Sequence, residues 1–331
     1  MVAGVILVAL LVYTLTGGAD FGGGVLDVFA RGRTGGAQRT VIDNAMGPVW
    51  EANHVWLILV IVLMFVCFPV AFAAVSTVLH IPLTLMLIGI VLRGTAFVFR
   101  HYDQPRWHQS WSRVFALASV WTPFFLGVSL GAVASGSFRF DATNHVQTNF
   151  ISEWLAPFPL SVGAFTVALF TLLAATYLTV EAQETGVREA FRRRALAATL
   201  LTAGCAYVSL ALAASGAPTL FTDLTQHVWS WVFQAITLAL GGSLTAMLWT
   251  RRYKTARTLV VLLVIAIELG WAASHVPYIL PPELTLLDAA APRNILVNTL
   301  RLLGLGSVVL VPSFVVLYRV FKGPRFWSLS Q

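Results

Sequence analysis

Gly17-Gly18-Ala19-Asp20-Phe21-Gly22-Gly23-Gly24, followed after a basic turn by Gly47-Pro48-Val49-Trp50-Glu51-Ala52-Asn53-His54-Val55-Trp56, decides how this chain folds and where its chemistry sits. The two stretches place the carboxylates Asp20 and Glu51 inside, or at the mouth of, long apolar runs. An ionisable group within a membrane span costs a few kcal/mol, so it faces a partner or a water-filled path. We therefore take residues 17–56 as the working end of the molecule.

The surrounding composition is that of a membrane protein. Of 331 residues, 58% are hydrophobic and 11% charged, against about 25% charged in soluble domains. So little polar surface cannot cover a water-soluble body of this size. Cys67 and Cys205 both fall in apolar runs, which argues against a disulfide framework or a zinc cluster and for two small core residues. The first residues lack a basic n-region and a clear cleavage site, so they read as a retained first span.

A span needs about 20 predominantly apolar residues. That yardstick predicts an all-α polytopic protein, a single integral membrane domain over residues 1–331. Its nine transmembrane helices fall at roughly 2–29, 54–76, 79–99, 113–136, 156–180, 195–215, 228–249, 258–279 and 295–318. We expect two four-helix bundles plus one peripheral helix, although no repeat between the halves supports that grouping. Eighteen of the 21 basic residues fall at alternate span ends, from Arg31 to Arg325, leaving Arg139, Arg293 and Arg301 on the other side. The distribution predicts an outside N-terminus and a cytoplasmic C-terminus. It explains the net charge of +7 without nucleic acid.

On that topology Asp20 lies roughly 13 Å from the inner end of its span near Phe29. Gly18 and Gly22, with Ala19 and Gly23, form small-residue pairs that let a neighbouring helix approach. Pro48 suits a helix's first turn, which places Glu51 near a positive helix terminus. There it serves either the helix dipole or as a proton acceptor feeding Asp20. Asn53 and Trp50 flank it, and His54 is its best polar companion. Arg93, in the inner third of the third span, can pair with either acid. Glu268 sits mid-span in the eighth segment, and we favour a carboxyl hydrogen-bonded to a helix partner there over a transport role.

The seven histidines, His54, His80, His101, His108, His145, His227 and His275, fall at span ends or in loops. Haem in a bundle calls for a ligand well inside it. Met64, Met86 and Met247 lie within spans without a matching His, so no cofactor and no metal is expected on this chain. Trp50, Trp56, Trp107, Trp111, Trp154, Trp229, Trp231 and Trp327 fit interfacial belts. The proline-rich segment 275–292 cannot continue a helix and reads as an outer loop re-entering the interface.

Four blocks carry a resemblance: Gly-Ala-Asp-Phe-Gly-Gly-Gly at 18–24, Gly-Pro-Val-Trp-Glu-Ala-Asn-His-Val-Trp-Leu at 47–57, Arg-Gly-Thr-Ala-Phe-Val-Phe-Arg at 93–100 and Pro-Tyr-Ile-Leu-Pro-Pro-Glu-Leu-Thr at 277–285. In that order, with matching span number along essentially the whole chain, they resemble subunit II of the cytochrome bd-type quinol oxidases. The resemblance implies a haem-free subunit in the bacterial cytoplasmic (inner) membrane. Its partner, subunit I, would carry two haem b and one haem d. Together they would oxidise quinol and reduce dioxygen to water, drawing protons from the cytoplasm. A structural quinone, a small single-span third subunit and membrane lipids are further partners compatible with the family. Asp20 matches the second acid of the family's first motif, and Glu51 the acid after its tryptophan, here Trp50. The motif's first acid falls on Gly17, so a relay here needs water, another residue or a route through subunit I.

Two other readings stay open from the residues alone. A stand-alone proton-coupled transporter also suits inner-half carboxylates, although no inverted repeat or paired broken helices accompany them. A scaffold subunit, with Arg93 a static partner of Asp20, is the second.

Overall fold

The long apolar segments must satisfy every backbone polar group within themselves in a hydrocarbon setting, and an α-helix does so. The computed structural model describes residues 1–47, 49–102, 108–141 and 146–322. Pro48, Arg106, Trp107, His145, Arg325 and Trp327 lie outside them, as do the side chains of His101 and His108. In chain order the helices are α1 (Val2–Val28), α2 (Gly35–Met46), α3 (Trp50–Cys67), α4 (Pro69–Val78), α5 (His80–Tyr102), α6 (His108–Ala134), α7 (Pro157–Glu181), α8 (Thr185–Gly216), α9 (Pro218–Gln226), α10 (Val228–Trp249), α11 (Tyr253–His275) and α12 (Arg293–Lys322). Among the described residues nine of these are long and apolar enough to cross a membrane. The chain is an all-α, multi-span membrane protein.

Most expected spans meet a helix of similar bounds, and three departures have clear causes. The expected second span, 54–76, is two helices. Pro69 lacks the amide that would continue α3, Phe68 leaves helical geometry, and α4 starts anew. The amide of Ala291 donates to the freed carbonyl of Cys67 at 2.8 Å. Helix α8 begins ten residues before the expected 195, because its first turns carry Arg188 and Arg192–Arg194, which a hydropathy window rejects. Helices α2 and α9 are too short to register as spans.

Helix α1 is central, packing against α3, α6, α7 and α11. Its glycines make this possible. A Cβ on Gly22 would fall on the main-chain carbonyl of Phe170 in α7, and one on Gly24 on the Ser119 hydroxyl in α6. The small-residue face therefore packs helices, as expected. Helix α12 is peripheral, leaning on α3 with none of its apolar window buried.

The ends of α1, α7, α8, α10 and α11 converge at a basic end. There Arg194 donates to the Phe29 carbonyl at the end of α1, where a cation suits the helix dipole. Arg192 donates to the Leu248 carbonyl, and Arg188 lies over the Tyr253 ring. At the opposite end, segment 275–292 forms a hairpin, β3 (Tyr278–Leu280) with β4 (Leu284–Thr285). Leu280 and Leu284 are buried in the same cluster as Phe138 and Trp154. The expected outer loop is thus a hairpin that caps the core. Trp154 likewise packs against Phe125, and Trp50 against Gly94.

Replacing Gly22 by Val would force α1 and α7 apart. Overpacking of this kind costs about 1–3 kcal/mol, and the clash with backbone puts this site at the upper end. We expect a lowered Tm and poor yield in a detergent thermal-shift assay, with Gly4→Val, which meets nothing within 4 Å, unchanged.

Candidate functional site

Asp20 is 6% exposed, held where α1 meets α3, α5 and α12. The Asn53 side-chain amide donates from Nδ2 to Asp20 Oδ2 at 2.6 Å. Tyr318 of α12 donates its phenol to Asn53 Oδ1 at 2.9 Å. That second bond turns the amide so that its donor faces the acid. Arg93 Nη2 donates to the main-chain carbonyl of Asp20 at 3.0 Å. Its guanidinium lies 4.7 Å from the Phe21 ring centroid and 5.3 Å from that of Phe115. Aromatic faces stabilise a buried cation where water is excluded.

One turn-pair further along α1 the arrangement repeats. Asp27 Oδ2 accepts from Arg100 Nη1 at 3.2 Å, both residues buried. Arg39 of α2 approaches Asp27 Oδ1 at 3.3 Å, and Arg100 also bonds Asp43 of α2. The Arg100 guanidinium lies 4.3 Å from the Phe115 centroid, so this ring sits between two arginines. Both aspartate–arginine contacts span 73 residues. Helices α1 and α5 therefore present two rungs at the same register, the second seven residues beyond the first.

The structure brings Asp20, Asn53 and Arg93 together, as it does Trp50 and His54, but it leaves Glu51 apart. Glu51 is exposed on the first turn of α3 while Asn53 is buried. Residues two apart on a helix point about 200° away from each other, so the face that gives Asn53 to Asp20 turns Glu51 outward. His54 packs among Tyr13, Phe21 and Trp50 with ring centroids 5.9, 5.8 and 6.4 Å away. Glu268 lies beside Thr14 of α1, and its Oε2 is buried without a hydrogen-bond partner among the described residues.

Asp27, Asp43, Arg100 and Tyr318 were not singled out from sequence. The signal for the second rung was there: Asp20 and Asp27, like Arg93 and Arg100, are seven apart in spans running the same way. Tyr318, 265 residues from Asn53, had none. Gly17 has a local role too, since a Cβ there would sit 2.8 Å from the Tyr13 ring. Tyr13 occupies the space beside the position where the family motif places an acid.

A cavity of about 230 Å³ opens beside Asp20 and Asn53 and extends past Tyr177 and Tyr318 to Glu181 and Arg257. A second, of about 400 Å³, is bounded by Asp27, Arg31, Arg39 and Arg113 at the basic end. Among the described residues no group of three or more His, Cys, Asp or Glu could hold a metal ion. For a haem the candidates are the buried imidazoles. His275 bonds the Trp271 carbonyl through Nδ1 and packs 4.3 Å from the Trp271 ring. Neither it nor His54 lines either cavity.

The sequence profile described as cytochrome bd terminal oxidase subunit II matches residues 1–321. The chain belongs to this family. Among relatives, the cytochrome bd-I ubiquinol oxidase subunit 2 of Escherichia coli K12 is 28% identical over 182 residues, covering 54% of this chain and 46% of that protein. The cytochrome bd ubiquinol oxidase subunit 2 of Bacillus subtilis is 32% identical over 153 residues, covering 46% and 44%. In both alignments this chain spans less than half of the relative's length. The solved structure of bd oxidase from Geobacillus thermodenitrificans shares the fold, with a TM-score of 0.79 over 97% of both chains at 21% identity.

Breaking the second rung on one side should be costly. Removing one partner of a buried ion pair costs about 3–5 kcal/mol, while replacing both by apolar groups is often neutral. Asp27→Leu should therefore lower the Tm of the purified complex sharply. Asp27→Leu combined with Arg100→Met should restore most of it.

Proposed function

We propose that this chain is the haem-free subunit of a quinol:oxygen oxidoreductase in the bacterial cytoplasmic membrane. Its N-terminus lies outside and its basic end faces the cytoplasm. Subunit I holds two haem b and one haem d, and the pair couples quinol oxidation to reduction of dioxygen to water. Family membership supports the assembly, and the distribution of Lys and Arg supports the orientation. A small single-span subunit and a structural quinone are compatible with this assembly.

Reduction of dioxygen consumes protons, and the chain's own part is to deliver them. The observation that carries this reading is the buried Asp20 carboxylate, hydrogen-bonded to Asn53 and facing a cavity that reaches the basic end. A carboxylate in that position can take up and release a proton within the apolar interior. Arg93, fixed by the Asp20 carbonyl, offsets the charge when the acid is ionised. Asn53 orients the acid, with Tyr318 holding the amide. Glu51, exposed at the start of α3, gathers protons at the surface. The haems, where bound, supply the electron transfer.

Purification through a tag should bring down a second polytopic chain together with b-type and d-type haem bands in a reduced-minus-oxidised spectrum. In that complex Asp20→Asn should slow quinol-dependent oxygen uptake by about 100-fold, the low end of what a positioned acid contributes, with haem bands unchanged. A colourless lone protein would overturn the assembly. Normal uptake in the intact mutant complex would make Asp20 a structural residue.

A further inference from the structure

We propose that protons reach Asp20 through the cavity between α1, α2, α7, α11 and α12, with Glu181 as the acid at its mouth. The inference rests on the relay reading above and names the way in, which that reading leaves open.

Glu181 is the last residue of α7, at the basic end, and its side chain is 37% exposed. Arg257 holds it through Nη1 at 3.4 Å, and the same guanidinium lies 5.1 Å from the Tyr177 ring centroid. All three line the cavity whose far end is Asp20 and Asn53. A conduit for protons needs a titratable group in contact with bulk water, a passage that holds water and a second acid at depth. Glu181, the cavity and Asp20 supply the three in that order. A volume of about 230 Å³ holds several water molecules at roughly 30 Å³ each, and Tyr318 and Tyr177 offer hydroxyls along the wall.

Glu51 does not line this cavity and points away from the face that carries Asn53, so a proton gathered there must still travel to the mouth. The arginine has a second consequence. Its stacking on Tyr177 keeps the guanidinium, and Glu181 with it, at the rim. Proton balance is simple. Glu181 takes one proton from bulk water and passes it to the water chain, and Asp20 receives one, with nothing oxidised or reduced.

The test uses the whole complex in proteoliposomes, with oxygen uptake and proton uptake followed after quinol addition. Glu181→Gln removes the acid at the mouth, and Ala45→Phe plugs the passage without touching a charge. Each should slow both rates about tenfold or more, with haem bands and subunit stoichiometry unchanged. Normal rates in both variants, with Asp20→Asn still slow, would overturn the inlet and leave the relay standing. Normal rates in Asp20→Asn would remove the relay and the inlet with it.

Discussion

A carboxylate in the middle of a membrane span must be satisfied by its own protein, and the hydrogen bond from Asn53 to Asp20 does this. Much of the architecture around the site follows from making that bond possible. Helix α1 must lie at the centre of the molecule, which requires glycines where it crosses α6 and α7. Helix α3 must begin at Trp50 so that Asn53 faces inward. Helix α12, otherwise peripheral, must come close enough for Tyr318 to fix the amide.

Two aspartate–arginine rungs between α1 and α5 divide the labour. At the lower rung Asp27 has charged partners from α2 and α5. Such a carboxylate is locked, which suits a structural tie between helix ends. At the upper rung Arg93 bonds a backbone carbonyl of α1 and rests between aromatic faces. The Asp20 side chain accepts from the Asn53 amide and borders a cavity. Asp27 ties α1 to α2 and α5, and the proton role proposed above goes to Asp20 for its place beside the cavity that reaches Glu181.

The membrane class and most spans were legible because twenty apolar residues between charged ends admit few other structures. The break at Phe68 was not, since a proline inside an apolar run also occurs in kinked spans; what separates the cases is the Ala291 amide arriving from a distant loop. Helices α2 and α9 were hidden by length. At the site, Asp20 and Arg93 stood out because charge inside a span has few explanations. The choice between Glu51 and Asn53 depended on helix phase, and sequence alone does not say which face of α3 meets α1. Nothing in the sequence marks Glu181, because α7, α11 and α12 share a cavity only in three dimensions.

The account stands on Asp20 exchanging a proton during turnover. Redox-triggered infrared difference spectroscopy of the complex reads this directly. A carboxyl C=O stretch that appears or shifts between oxidised and reduced states, is sensitive to deuteration and is absent from Asp20→Asn is the expected result. A difference spectrum in the carboxyl region identical in wild type and Asp20→Asn would contradict it.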